Sequence, residues 1–420
     1  MKFIGARVFI ALGIDDTDSY RGGCTTYVGY RLAKEILAEY GDVFVDYPRL
    51  IRLNPYVPFK TRGNAAVALL LDAPEGAEED IWELALKVVG EEADVVGKTS
   101  PGVAMAVGAV PERARRVYKL ALAQIVPKSV VERVGGVRAW GGRGVIGAIA
   151  AIGADLAEST FELLAYREGE RPRISPELVA AMEALTYPFT FHNLDGRRVL
   201  IEPRGPDPVL YGVRGTSPPH LIYAARLLEE NGVKAKGWAV WRTNQATGAH
   251  LAGALPERPL PYSVYRARGV VEWAKRIKGR HVVAGLSNGL VVVAYRHLGE
   301  LATALERCVG CYVEVEGGVK PRAGGLYLYP ERLRVLYRLE RIPPRCPYCG
   351  GALESLGRGK GRRCRICGTV FRAVEVRWAL STLERGEYAP RPGEWRHLFK
   401  PPGLEVWPAA LFGKVEGWIK

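Results

Sequence analysis

The 420-residue chain reads as a multidomain protein of mixed α/β and α+β class, on three observations. Apolar runs alternate with amphipathic stretches through its first half, five short strand-like runs follow a proline-rich break, and two CxxC pairs close a small module beyond them. Alternation argues for α/β layers, short strands with glycine turns for a small barrel, and paired cysteines for a metal-built module. A chain of this length holds about three or four domains.

The elements follow in order. Val8 to Leu12 is an apolar run that reads as a buried strand, and Tyr27 to Tyr40 is an amphipathic helix with Val28, Leu32, Ile36 and Leu37 at helical spacing. Residues 64 to 72 and 103 to 110 read as strands on either side of a helix from Glu78 to Val89. A helix over 173 to 186, a strand over 198 to 202, a helix over 219 to 231 and a strand over 236 to 241 suit a ferredoxin-like sandwich. Pro256, Pro259 and Pro261 mark a linker. Strand-like runs at 267–274, 281–284, 289–295, 311–318 and 325–329 then predict an OB-fold, although an SH3-like barrel would give nearly the same string.

Charge and cysteine usage narrow the partners. A formal charge of +14 and a pI near 9.4 call for a polyanion. No apolar stretch is long enough to cross a bilayer, and Arg7 followed by acids breaks the pattern of a signal peptide, so a cytoplasmic protein is expected. Cys346-Pro-Tyr-Cys349 and Cys364-Arg-Ile-Cys367, fourteen residues apart, predict a structural Zn²⁺ ribbon. Arg358, Lys360, Arg362, Arg363 and Arg365 crowd its loop and form an RNA-phosphate surface. Trp378, Trp395, Trp407 and Trp418 follow, each suited either to stacking on unpaired bases or to the core of a small terminal domain. Cys308 and Cys311 lack a second pair nearby and read as buried thiols or a disulfide without catalytic part.

The densest chemistry lies from Gly13 to Thr26, G-I-D-D-T-D-S-Y-R-G-G-C-T-T, at the end of the first strand. Asp15, Asp16 and Asp18 repel one another unless a cation or donors offset them, which makes a Mg²⁺ site the natural reading and an Asx-turn loop the alternative. The hydroxyls of Thr17 and Ser19 and the flexible backbone of Gly22 and Gly23 are candidates to hold phosphate. Lys60 and Arg62, in a segment with Arg49 and Arg52, form a phosphate clamp or a solvated basic loop. Gly142, Arg143 and Gly144 open an apolar helix, where free N–H groups and a helix dipole favour an anion. Together these features argue for ATP-dependent phosphoryl chemistry on a nucleic acid.

The run G-I-D-D-T-D-S with C-T-T, the R-L-I-R-L-N-P and K-T-R-G-N segments, the turn at Gly142 to Ala148 and P-V-L-Y-G-V-R-G at Pro208 to Gly215 resemble the archaeal tRNA(Ile) agmatidine synthetase family across almost the whole chain. The resemblance implies phosphorylation by ATP of the C2 carbonyl oxygen of the wobble cytidine in tRNA(Ile) with a CAU anticodon, then displacement of phosphate by agmatine. It implies that Asp15, Asp16 and Asp18 are the catalytic acids, that Thr25 carries phosphate, and that Arg143 and Gly144 face the phosphates. It further implies a kinase-like catalytic region at 1–190, discontinuous with its neighbour, a ferredoxin-like domain at 191–256, an OB-fold at 257–338, a zinc ribbon at 341–376 and a basic, aromatic segment at 377–420. The competing readings are a metal-dependent nuclease or phosphohydrolase, since D-D-T-D also suits ions that activate water, and a non-catalytic RNA-binding protein.

Overall fold

The computed structural model describes residues 6–251, 253–375, 377–381, 386–406 and 413–420. One compact unit takes in the chain to Tyr265, residues 318–325 and the segment from Arg391 onward; the other holds Arg266–Gly317 and Leu326–Pro390.

The first unit begins with β1 (Arg7–Asp15), α1 (Thr25–Tyr40), β2 (Arg49–Arg52), β3 (Ala65–Pro74), α2 (Glu78–Glu92) and β4 (Gly102–Val107). It continues through α3 (Glu112–Ala123), α4 (Lys128–Val131), β5 (Arg138–Gly141), α5 (Val145–Ile152), β6 (Thr160–Tyr166) and α6 (Pro176–Thr186). The strands β7 (Thr190–Phe191), β8 (Leu194–Asp195), β9 (Arg198–Val199) and β10 (Val209–Gly215), helix α7 (Pro218–Glu230) and β11 (Gly237–Thr243) complete it. Nine strands make one sheet in the order β5-β4-β1-β3-β2-β11-β6-β10-β7. Its two halves meet where β2 and β11 run parallel.

Helices cover both faces. One core gathers Val28 and Leu32 of α1, Ile81 of α2, Val179 of α6 and Leu221 of α7 against the sheet. The other gathers Val117 of α3 and Ile149 of α5. This is the layered packing that alternating apolar and amphipathic segments demand. Glycine lets α5 approach closely: a side chain at Gly13 of β1 would overlap the Ala148 carbonyl.

Several elements differ from the sequence reading, which did not anticipate α3, α4, β5 or the helix at Glu300–Arg307. The strand leading into α7 is β10, whereas the run near 198 is only the short β9 paired with β8. With β6 lying antiparallel to both β10 and β11, the β10-α7-β11 crossover is the split unit of a ferredoxin-like fold. β6 escaped the reading because Glu162 interrupts its apolar run, yet all seven of its residues are buried. The segment around Arg49 and Arg52 is a strand rather than a loop, with Leu50 and Ile51 fully buried between the two arginines.

The second unit is built on β12 (Val264–Ile277), β13 (His281–Leu286), β14 (Val291–Ala294), α8 (Glu300–Arg307), β15 (Cys311–Arg322) and β16 (Gly325–Ile342). β14 pairs back onto β16 and closes a five-stranded barrel. A helix between the third and fourth strands distinguishes an OB-fold from an SH3-like barrel, and α8 occupies that position. Cys308 and Cys311, both buried, flank the turn from α8 to β15. The ribbon follows as β17 (Leu353–Ser355), β18 (Arg362–Cys364) and β19 (Val370–Phe371), and then β20 (Arg377–Ser381) and β21 (Gly386–Tyr388) pair with β16.

Of the late tryptophans, Trp418 is core: it packs edge-on against Phe44 and Tyr47, and its carbonyl accepts a hydrogen bond from Val240 N at 2.8 Å. Trp407 and the side chain of Trp378 lie outside the described residues. Among the described residues no helix is long and apolar enough to cross a membrane.

Candidate active site

A cavity of about 740 Å³ opens in the first unit where β1, β2 and β10 end. Asp15, Asp16, Asp18, Thr25, Lys60, Arg62, Arg143 and Gly144 all line it, so segments distant in sequence converge on one space. The starts of α1 and α5 both contribute, bringing two helix amino-terminal dipoles to the same wall.

The three acids have different surroundings. Asp15 ends β1, half-buried against α5; burial, and then the neighbouring Asp16 carboxylate, push its pKa well above the usual carboxylate range. Its Oδ1 accepts the backbone N–H of Asp16 at 2.7 Å. Asp16 holds a left-handed backbone, φ 57°, and its Oδ2 accepts from Arg143 Nη2 at 2.7 Å. Strained non-glycine backbone of this kind persists where surrounding structure enforces it. Asp18 accepts from Arg62 Nε at 2.8 Å, although burial still raises its pKa despite that partner. Among the described residues no cation lies in ion-pair contact with Asp15. The three carboxylates do not converge as a ready metal cage; among the described residues only the four ribbon cysteines do so.

Arg62 organises the loop beyond β1. Besides Asp18 it reaches Asp207 Oδ2 at 3.0 Å and donates through Nη2 to the carbonyls of Gly22 at 3.1 Å and Gly23 at 2.6 Å. The glycine pair thus turns carbonyls toward a cation, and neither glycine lines the cavity. Gly23 has φ 72°, where a side chain would also meet the Thr17 carbonyl, so glycine is required for the turn.

Thr17 and Ser19 are likewise behind the wall. The Thr17 hydroxyl donates to Thr25 Oγ1 at 3.0 Å, and Ser19 donates to Asp94. Gly142 anchors the α5 turn through its N–H to the Pro101 carbonyl at 2.8 Å, and Arg143 N donates to Ser100 Oγ at 3.0 Å. Lys60 donates to the Arg62 carbonyl at 3.1 Å, and burial lowers its pKa, helped by nearby Arg396 and Lys320.

A second polar cluster on the same wall has no counterpart in the sequence reading. Glu162 of β6, almost fully buried, accepts from Arg214 Nε at 3.2 Å, from Arg52 Nη2 at 3.4 Å and from Gln245. Arg214 sits directly across from Glu162 in the β10–β6 register. Its remaining nitrogens meet His192 and His397, the latter contributed by the segment after the second unit. That segment also brings Trp395 to the cavity wall, its ring 5.2 Å from the His192 ring. Arg214 was visible only as part of the P-V-L-Y-G-V-R-G run and Glu162 in no motif at all, since strand pairing is not written in either segment.

In the ribbon, the sulfurs of Cys346 and Cys367 lie 3.6 Å apart and those of Cys349 and Cys364 3.4 Å apart. Four thiolates around a tetrahedral zinc at about 2.3 Å would stand roughly 3.8 Å apart, so the set fits that ion. Arg358, Lys360, Arg363 and Arg365 are exposed, Arg362 is half-buried, and Arg365 pairs with Glu354 at 3.3 Å.

Comparison with known proteins matches the TiaS TCKD domain family at residues 11–90, the TiaS FLD domain family at 142–250 and the TiaS C-terminal zinc ribbon family at 343–377. The chain is 61% identical over 398 residues to the tRNA 2-agmatinylcytidine synthetase TiaS of Pyrobaculum neutrophilum, covering 94% of this chain and 96% of that protein. It is 41% identical to the synthetase of the same name from Caldivirga maquilingensis, covering 97% and 99%. A crystal structure of TiaS in complex with its isoleucine tRNA and ATP superposes with a TM-score of 0.76 at 31% identity, over 98% of this chain and 99% of that one. A complex of TiaS with the same tRNA, AMPCPP and agmatine superposes with a TM-score of 0.75 at 30% identity, over 94% and 96%.

Proposed function

The chain belongs to the TiaS family of tRNA 2-agmatinylcytidine synthetases, and from that premise we propose that the acid-lined cavity of its first unit carries out the reaction. The enzyme uses ATP and agmatine to convert the wobble cytidine of its isoleucine tRNA to agmatidine. Neither the nuclease reading nor the non-catalytic one is favoured by these relatives. The observation that carries the assignment of the site is convergence: the Asp15–Thr25 loop, Lys60 and Arg143, from three separate segments, line one cavity.

The chemistry requires the cytidine C2 oxygen to become a leaving group. A phosphoryl group passes to that oxygen as its anhydride bond to the rest of the nucleotide breaks; the neutral amine nitrogen of agmatine then bonds to C2, the C–O bond breaks to release phosphate, and an amine proton passes to solvent. Arg143 and the amino terminus of α5 hold phosphoryl oxygens, since both offer donors to developing negative charge. Lys60 adds a cation from the facing segment. A helix start likewise stabilises an anion on Thr25, the first residue of α1.

Asp15, a half-buried carboxylate without a cation partner among the described residues, is the group that would hold a magnesium ion, Asp16 and Asp18 being paired with Arg143 and Arg62. When bound, the ion would neutralise phosphate charge. Asp16 and Asp18 meanwhile orient Arg143 and Arg62. The ribbon holds zinc for structure and presents its basic loop to RNA phosphates. The cytoplasm is the compartment in which we place this work.

Incubating the purified chain with ATP, Mg²⁺, agmatine and cognate tRNA, then digesting the tRNA for mass spectrometry, tests the reading. The anticodon cytidine should gain the mass of agmatine less water. Unmodified cytidine in folded tRNA, with ATP-binding protein present, would reject it.

A further inference from the structure

Arg214 belongs to a motif whose chemistry the acid cluster does not use. Its guanidinium is restrained on three sides: Nε donates to Glu162 Oε1 at 3.2 Å, Nη1 to His192 Nδ1 at 2.6 Å, and Nη2 to His397 Nδ1 at 2.9 Å. A guanidinium carries five N–H bonds, so two remain beyond these contacts. The side chain is mostly buried and lines the same cavity as Asp15 and Thr25.

Both histidines can accept from arginine only when Nδ1 is unprotonated. His192 has that tautomer fixed, because its Nε2–H donates to the Pro392 carbonyl at 2.6 Å. Burial, and then the charge of Arg214, lower its pKa to about 3. His397 is half-buried, its Nδ1 also lying 3.1 Å from Gln245 Oε1, and burial, followed by Arg52 and Arg214, drives its pKa well below the ordinary imidazole value. The Glu162 carboxylate and the His192 ring, its tautomer set by Pro392, therefore fix the plane of one arginine, with the His397 ring in contact with its remaining nitrogen. Pre-set planar donors are what a charge that develops during reaction needs, because no reorganisation is then required.

We propose that Arg214 is a further catalytic residue that holds an anionic phosphoryl oxygen through its two remaining N–H bonds, and that His192 and His397 are positioning residues that fix its plane. The inference rests on the assignment of phosphoryl chemistry to this cavity. It gives the segment after Arg391 a direct part in the site, since that segment supplies His397 and the carbonyl of Pro392.

Steady-state kinetics of the full chain with tRNA, ATP and agmatine test it. Arg214→Lys keeps the charge but not the fork, and kcat should fall on the order of a hundredfold, as for a misplaced catalytic group, with KM for agmatine unchanged. His397→Ala should lower kcat about tenfold through looser positioning, and His397→Asn, whose carbonyl oxygen replaces the Nδ1 acceptor, should restore most of it. The double variant His397→Ala with Arg214→Lys should be no slower than Arg214→Lys alone, because the histidine acts through the arginine. Additive losses in the double variant would overturn the positioning role, and wild-type kcat in Arg214→Lys would overturn the whole inference. Arg214→Lys keeps the test decisive should His397→Ala lose the fold. Failure of the wild-type chain to make agmatidine would instead overturn the function on which the inference rests.

Discussion

Gly147 faces the carboxylate of Asp15 so closely that a single methyl group there would overlap Oδ2. The third residue of α5 therefore sets how deeply the last residue of β1 can sit, and with it the position of the only acid of the cluster that lacks a cation partner among the described residues. Nearby Gly144 and Gly102 are similarly tight, with backbone of β1 and α5 in the space a side chain would fill. This local geometry sets the first prediction.

Gly147→Ala should displace Asp15 or α5. Overpacking of this kind costs about 1–3 kcal/mol, so a lower melting temperature is expected, together with loss of agmatidine formation. Wild-type activity and melting in this variant would show that the helix yields without disturbing the acid.

Arg62 ties Asp18, Asp207 and two loop carbonyls together in the geometry of one fork. Lysine cannot reproduce four such contacts. Arg62→Lys should therefore weaken ATP binding almost as much as Arg62→Ala, read by equilibrium titration with a non-hydrolysable analogue. Near-wild-type affinity in the lysine variant would mean that charge alone suffices.

The Thr25 hydroxyl is at the start of α1, lines the cavity and already accepts from Thr17. With γ-labelled ATP, protein-bound label is expected on Thr25 and should be absent from Thr25→Ala. Undiminished label in that variant would place the phosphate elsewhere.

The ribbon buries little besides Cys346, Leu353 and Cys364, so its fold depends on metal. About one zinc per chain is expected by elemental analysis. Cys364→Ser should lower zinc content and tRNA affinity while leaving ATP binding in the other unit intact. Full tRNA affinity without zinc would remove the ribbon from RNA recognition.

His192 gives a pH prediction. Its pKa is lowered to about 3 in the folded chain, so the folded state binds fewer protons than the unfolded one. The stability it contributes is complete above the ordinary imidazole pKa and is lost as pH falls from there toward about 3. Chemical denaturation of His192→Asn should show a shallower loss of stability over that acid range than wild type. An identical slope would mean that the ring is hydrated in solution.

The local periodicities located most helices and all five barrel strands, because burial on one face imposes a repeat that survives without knowing the neighbour. The cysteine spacing likewise carries the ribbon, since a tetrahedral metal constrains chain geometry over a few residues. Asp15, Asp16, Asp18 and Thr25 were legible for the same reason: they lie in one short segment whose composition is chemically costly anywhere but a site. Glu162, Arg214, His192 and His397 were not, because each is ordinary in its own segment and acquires meaning only from the others. The sequence by itself determined the kinds of element, the zinc ligands and the acid loop. Only the tertiary structure decided that β6 pairs with β10, that the chain after Arg391 returns to the first unit, and that two imidazole rings flank one arginine. Those depend on contacts between segments up to two hundred residues apart, where burial removes the water that would otherwise hydrate each group alone.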